Sequence, residues 1–367
     1  ISLPTFYQDF GARQQGEKDF KSATRDVARL LEELKNDKAE SVLIDLRNNG
    51  GGSLSEAIEL TGLFIDKGPV VQQRNSQGKI SVESDLNPGF GWDGPLGVLI
   101  NRGSASASEI FAAAIQDYGR GLVIGEPSFG KGTVQTLLNL DQVARNEKAK
   151  LGELKMTIAQ FFRINGGTTQ LRGVTPDIAF PSFRDPENFG ESSFENALPW
   201  TQIKAADYAL AGNLSGLLPM LQSRHEVRIA KNKGFQFLKE DIADFRLQRK
   251  KKFVSLNESE RRKERDALEV KAKLREKING AEKPLSNKLH GAKDSATAKR
   301  TTIEDDGLLE NERNIKNDLS EQPSKNHGKD ILLSEAAHIL SDEISLLKAN
   351  ARLLARVLPG VSLPSNP

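Results

Sequence analysis

Three short stretches hold residue types that could act together as a reaction centre. "GSASASE" (Gly103–Glu109) offers three serines, "GEPSFGKGT" (Gly125–Thr133) a lysine between glycines, and "DLRNNGGGS" (Asp45–Ser53) a run of glycines. The lysine stretch nearly matches a phosphate-cradling loop, but Gly132 stands where a Mg²⁺-binding Ser or Thr is required. The residues that follow, Thr133 to Leu138, favour a strand over the helix that would face a phosphate. Nucleotide binding is therefore set aside.

A serine nucleophile needs a base. All four histidines lie at position 225 or beyond, and there is no cysteine, so acid–base work in the first 183 residues falls to Asp, Glu, Lys or Tyr. Lys131 qualifies if burial depresses its pKa, and Gly130, Gly132, Phe129 and Val134 give it an unhindered, partly apolar setting. Ser128 and Lys131 have Ser-x-x-Lys spacing, but Pro127 and the two glycines argue against the helical turn that spacing requires. Ser76 and Lys79 repeat it in "NSQGK", a hairpin-turn signal. Ser104, Ser106 and Ser108 remain, with Ser106 central at a strand-to-helix junction whose dipole favours negative charge. The glycine run could present backbone N–H groups to an oxyanion, or be a plain turn before a helix capped by Ser53 and Glu56.

These stretches need a scaffold. Helical spacing in Arg25–Leu34 precedes the strand "SVLIDL" (Ser41–Leu46); "GPLGVLIN" (Gly94–Asn101) and "GLVIG" (Gly121–Gly125) read as buried strands around the helix Ser106–Gly119. Strand, helix, strand points to an α/β layer with crossovers. "LKMTIAQFFRI" and "DIAF" read as an antiparallel supplement. From about Thr201 the chain reads as helical and densely charged, with Glu258–Lys277 very polar and 279–329 a flexible connection. The histidines sit singly in helical or polar settings and read as surface residues without metal-ligand spacing. A net charge of +2 argues against nucleic acid, and the cluster Arg249 to Lys252 reads as a solvated helix face. No apolar run is long enough to span a membrane.

"LIDLRNNGGG", "SASASEIFAAAIQDYGRGLVIGEPSFGKGTVQ" and "INGGTTQLRGVTPDI" together resemble the C-terminal-processing, or tail-specific, serine proteases of bacteria, over roughly residues 1–183 and more loosely through "ALPWTQI". The resemblance implies an α/β core, a mixed sheet with crossover helices of the ClpP/crotonase-like type, over 1–183, with a mainly helical domain over 184–367. It implies Ser106 as nucleophile, Lys131 as general base and Gln135 as the residue that orients the lysine. Asp117 and Glu109 fall on positions around the site, and the oxyanion would meet N–H groups of Gly51, Gly52 and Ala107. No metal or other cofactor is implied. Substrates would be proteins with apolar C-terminal tails, an adaptor lipoprotein is a further expected partner, and the location would be periplasmic. Family members carry a peptide-binding PDZ domain, and "ISLPTFYQDF" resembles the segment just after it. The expectation is a chain without that module, and the alternative to a protease is a catalytically silent scaffold.

Overall fold

The structure, a computed structural model, describes residues 1–145, 150–183, 189–251, 253–280 and 330–359. They belong to two compact units, one formed by Ile1–Asp244 with Lys329–Pro367, the other by Phe245–Gly328.

In the first unit β1 (Val42–Asp45), β4 (Leu96–Ile100), β5 (Leu122–Gly125) and β8 (Ile178–Ala179) form a parallel sheet in the order β1-β4-β5-β8. All five residues of β4 and all four of β5 are buried. Such continuous apolar strands require cover on both faces. One face packs on α2 (Ala23–Asn36), α3 (Leu54–Gly62) and α4 (Ala107–Asp117), through Val27, Leu31, Leu60, Phe111 and Ile115. The other meets α6 (Leu218–Lys231), α9 (Ile331–Ala349) and α10 (Ala351–Val357), whose Leu221, Ile339, Leu340 and Leu353 cluster with Leu99, Leu122 and Ile124. Residues 331–357, far along the helical stretch, thus complete the core that holds the sheet.

A second, antiparallel sheet runs β3-β2-β7-β6, from β2 (Gly68–Asn75), β3 (Ile80–Asp85), β6 (Thr133–Asn139) and β7 (Glu153–Phe162). "NSQGK" lies at the β2–β3 turn, as its composition suggests. Beyond Gln135, β6 and β7 form an arm around α5 (Leu140–Ala144) with Leu137, Val143, Leu154 and Met156 exposed. The fold is mixed α/β with a helical C-terminal region, and two details depart from the sequence reading. "DIAF" supplies β8, which pairs in parallel with β5 and not as part of the antiparallel supplement. His225 is buried, its Nδ1 2.8 Å from Glu335 Oε1 and its ring stacked on Phe180.

The remaining helices are α1 (Phe10–Gln14), α7 (Lys233–Lys250) and α8 (Glu258–Gly280), the last of these in the second unit. The expected flexible connection, 279–329, lies outside the described residues from position 281 onward.

Candidate active site

Chain geometry at the end of β4 sorts the serines. Ser104 Oγ donates to Leu46 O at 2.8 Å and Ser108 Oγ to Asn49 O at 2.8 Å, so both buried hydroxyls are spent tying this segment to the glycine turn. Ser128 is spent as well: its Oγ donates to Glu109 Oε1 at 2.6 Å and accepts from Val174 N–H at 2.7 Å. Ser106, by contrast, is half-buried at the N-cap of α4, with φ 57° and ψ −113°. A non-glycine residue there is strained, and a strained strand-to-helix turn is how a hydroxyl is held out at the head of a helix.

The glycine turn lies against it. A Cβ on Gly51, whose φ is +110°, would stand 2.9 Å from both Ser106 Cβ and Ala105 O, so only glycine fits. Asn49, fully buried, organises the contact: its carbonyl accepts Ala105 N–H at 3.0 Å, its Nδ2 donates to Leu3 O at 2.8 Å, and its Oδ1 accepts Gly51 N–H at 2.9 Å. The Gly51 amide is therefore engaged. Of the three N–H groups expected at the oxyanion, those of Gly52 and Ala107 donate to no other protein group among the described residues.

The Lys131 backbone shares a hydrogen-bond partner with that of Ser106, since both N–H groups donate to Glu109 Oε2. Gly130 takes φ +94°, and a Cβ on Gly132 would stand 2.6 Å from Thr168 Oγ1, so the glycines let this strand press against the 168–173 segment. Lys131 is half-buried; burial depresses its ammonium pKa, Lys155 adds to the effect, and Glu191 and Glu109 oppose it. That is the direction a lysine base requires.

Glu109 joins the two sides. Its Oε2 accepts Ser106 N–H at 2.8 Å and Lys131 N–H at 2.9 Å; its Oε1 accepts Gly130 N–H at 2.7 Å and the Ser128 hydroxyl. One carboxylate oxygen thus holds the main chain of both Ser106 and Lys131. Desolvation lifts the Glu109 pKa to about 7 against the pull of its four donors.

Two expected residues share no side-chain hydrogen bond with Ser106, Lys131 or Glu109 among the described residues. Gln135 is exposed on β6, just past a bulge between Val134 and Gln135. Asp117 ends α4, eleven residues and therefore roughly 16 Å of helix from Ser106. Its carboxylate grips Arg163 (2.5 and 3.0 Å) and Asn165 (2.8 Å), an anchor between α4 and the end of β7. Sequence reasoning set Ser128 aside and passed over Asn49. A repeated "NN" before three glycines carried a faint signal for the latter, because Asx side chains bond the backbone two residues on.

Residues 1–180 match the model of peptidase family S41, and residues 184–345 match the C-terminal domain of tail specific protease. The chain belongs to peptidase family S41. It is 47% identical over 269 residues to the tail-specific protease of Haemophilus influenzae, covering 72% of this chain and 37% of that protein. A carboxy-terminal-processing protease of Bartonella bacilliformis is 39% identical over 163 residues, 44% of this chain and 36% of the relative. The S41 chain thus spans little more than a third of the length of these two relatives. A solved photosystem II D1 C-terminal processing protease is 32% identical with a TM-score of 0.39, over 51% of this chain and 42% of that one. No helix among the described residues is long and apolar enough to cross a membrane.

Proposed function

We propose that this chain carries the catalytic centre of a serine endopeptidase working through a Ser106–Lys131 dyad. The observation that carries the reading is the shared Glu109 oxygen, which accepts from the backbone N–H of a strained, half-buried serine and from that of a half-buried lysine of depressed pKa. Neutral Lys131 takes the Ser106 proton as Oγ attacks the scissile carbonyl, and the N–H groups of Ala107 and Gly52 receive the oxyanion. The lysine then gives its proton to the leaving amine, freeing the C-terminal fragment. Water, deprotonated by the same lysine, attacks the acyl-enzyme and restores Ser106. Gln135 is assigned to orienting Lys131 once substrate is bound.

Proteins with apolar C-terminal tails are the proposed substrates, supported by the exposed Leu137, Leu154 and Met156 on the arm that extends beyond Gln135 along β6 and β7. A periplasmic location and an adaptor lipoprotein belong to the same proposal.

The test is cleavage of an unfolded protein with an apolar C-terminus by this chain and by a longer form extended at its N-terminus. Ser106→Ala and Lys131→Ala should each lower kcat at least about 1000-fold, while Ser128→Ala keeps measurable turnover. Full activity in Ser106→Ala, or no cleavage by either wild-type form, would leave a scaffold as the better reading.

A further inference from the structure

Arg47 opens the glycine turn, two residues past the end of β1. Its guanidinium is gripped from two sides. Toward its own strand, Nε lies 2.9 Å from Asp45 Oδ1 and Nη2 2.6 Å from Asp45 Oδ2. Toward the other end of the chain, Nη1 lies 3.1 Å from Asp330 Oδ1 and Nη2 2.7 Å from Asp330 Oδ2. Asp330 is also the N-cap of α9, accepting Leu333 N–H at 3.0 Å. A planar fork held by two carboxylates fixes direction as well as distance.

This pair does not account for the docking of α9. That helix is seated by buried Ala336, Ile339, Leu340 and Leu347, whereas Arg47 and Asp330 remain 20% and 40% exposed. An ion pair whose carboxylate is this exposed adds little to stability. The fork does, however, hold the Arg47 side chain, one residue past Leu46, whose carbonyl is already tied to Ser104. From Asn48 onward the turn is bonded inward: Asn48 N–H to Asn101 Oδ1 at 2.9 Å, the Asn49 carbonyl to Ala105 and Ser108, and Gly51 packed on Ser106. Arg47 holds the entrance from outside. An oxyanion site must be positioned to within a fraction of an ångström, so its entrance matters more for rate than for folding.

We infer that Arg47 and Asp330 form a clamp through which α9 sets the position of the glycine turn, making both of them positioning residues for the reaction at Ser106. The inference rests on the proposed peptidase reading. It also gives α9 a task beyond covering the sheet, because its N-cap residue Asp330 is the one that meets Arg47.

The test is a double-mutant cycle in the full chain, with Arg47→Gln, Asp330→Asn and the pair. Asn keeps Oδ1 for Leu333 N–H, which spares the cap, and turns the oxygen that accepts from Arg47 Nη2 into a donor. Each single variant should lower kcat about tenfold, with KM within about twofold and a melting temperature within about 2 °C of wild type. The double variant should be no slower than the slower single. Hydrogen exchange over residues 46–54 should speed up in each single variant while that over 331–349 stays as in wild type. Unchanged kcat with unchanged exchange in 46–54, a loss that follows the melting temperature, or fully additive effects would overturn the clamp. Should wild type fail to cleave, the peptidase reading falls and the exchange measurement still decides whether Arg47 and Asp330 hold the turn.

Discussion

Glu109 shows how much one side chain can decide. Four donors converge on its carboxylate, and only the ionised form can accept from all of them; a protonated carboxyl gives up one acceptor position. With its pKa lifted to about 7, the carboxylate completes the set as pH rises through neutrality. Lys131, depressed by burial, becomes a neutral base in the same direction. The kcat/KM profile should therefore climb between about pH 6 and pH 8, and a profile that falls over that range would contradict both assignments. Stability runs the opposite way. A carboxyl whose folded pKa exceeds its unfolded value stabilises the fold at low pH, and that contribution is lost as pH rises through the folded pKa. Glu109→Gln replaces two acceptor positions with donors facing donors, which should cost about 2–4 kcal/mol and be read directly by denaturant titration. Gly51→Ala is a sharper probe of the turn. Its methyl would meet Ser106 Cβ and Ala105 O at 2.9 Å on a backbone of positive φ, so kcat should fall at least about tenfold, even in the folded fraction.

Helix α4 divides its work between its two ends. The N-terminal end carries Ser106 and Glu109, and the C-terminal end carries Asp117, locked to Arg163 and Asn165. Asp117→Ala leaves Arg163, itself only 17% exposed, without its carboxylate. A loss of about 2–3 kcal/mol is expected, and activity should decline with the melting temperature and recover in part on cooling. Loss of turnover at unchanged stability would instead place Asp117 in the chemistry. Elements of this kind were legible in the sequence to different degrees. β4 and β5 announced themselves because strands buried on both faces are continuous apolar runs. β8 misled because a two-residue strand carries no mark of its partner's direction. His225 was misplaced although the signal was present: Leu221, His225 and Ile229 stand four residues apart on one buried face of α6. The serines could not be told apart from spacing, since what separates them is which group each hydroxyl meets: backbone carbonyls for Ser104 and Ser108, the Glu109 carboxylate for Ser128.

At the scale of the molecule, the first unit is closed by a helix that arrives from far along the sequence, and amphipathicity showed α9 only as a helix with an apolar face, never which sheet it would cover. That closure has an electrostatic cost. Glu343, on α9, is almost fully buried with Oε2 unpaired among the described residues, and burial lifts its pKa to about 8 despite the attraction of Arg120. Arg120, buried in turn, has its pKa pushed down to about 10 while donating to the carbonyls of Phe64, Trp92 and Gly94. A neutral Glu343 is thus the form the interior prefers at pH 7. The folded protein holds this proton where the unfolded chain has released it, so its stabilisation is full below the ordinary carboxyl range and fades up to about pH 8. Glu343→Gln makes the neutral form permanent. The variant should match wild type near about pH 3.5 and exceed it near about pH 8.5, with a shallower fall in unfolding free energy between them; Glu109 contributes its own slope to both proteins and cancels in the comparison. Parallel pH dependences in the two proteins would mean that Glu343 keeps its charge beside Arg120, and that α9 is held to the core by an ion pair and not by a protonated acid.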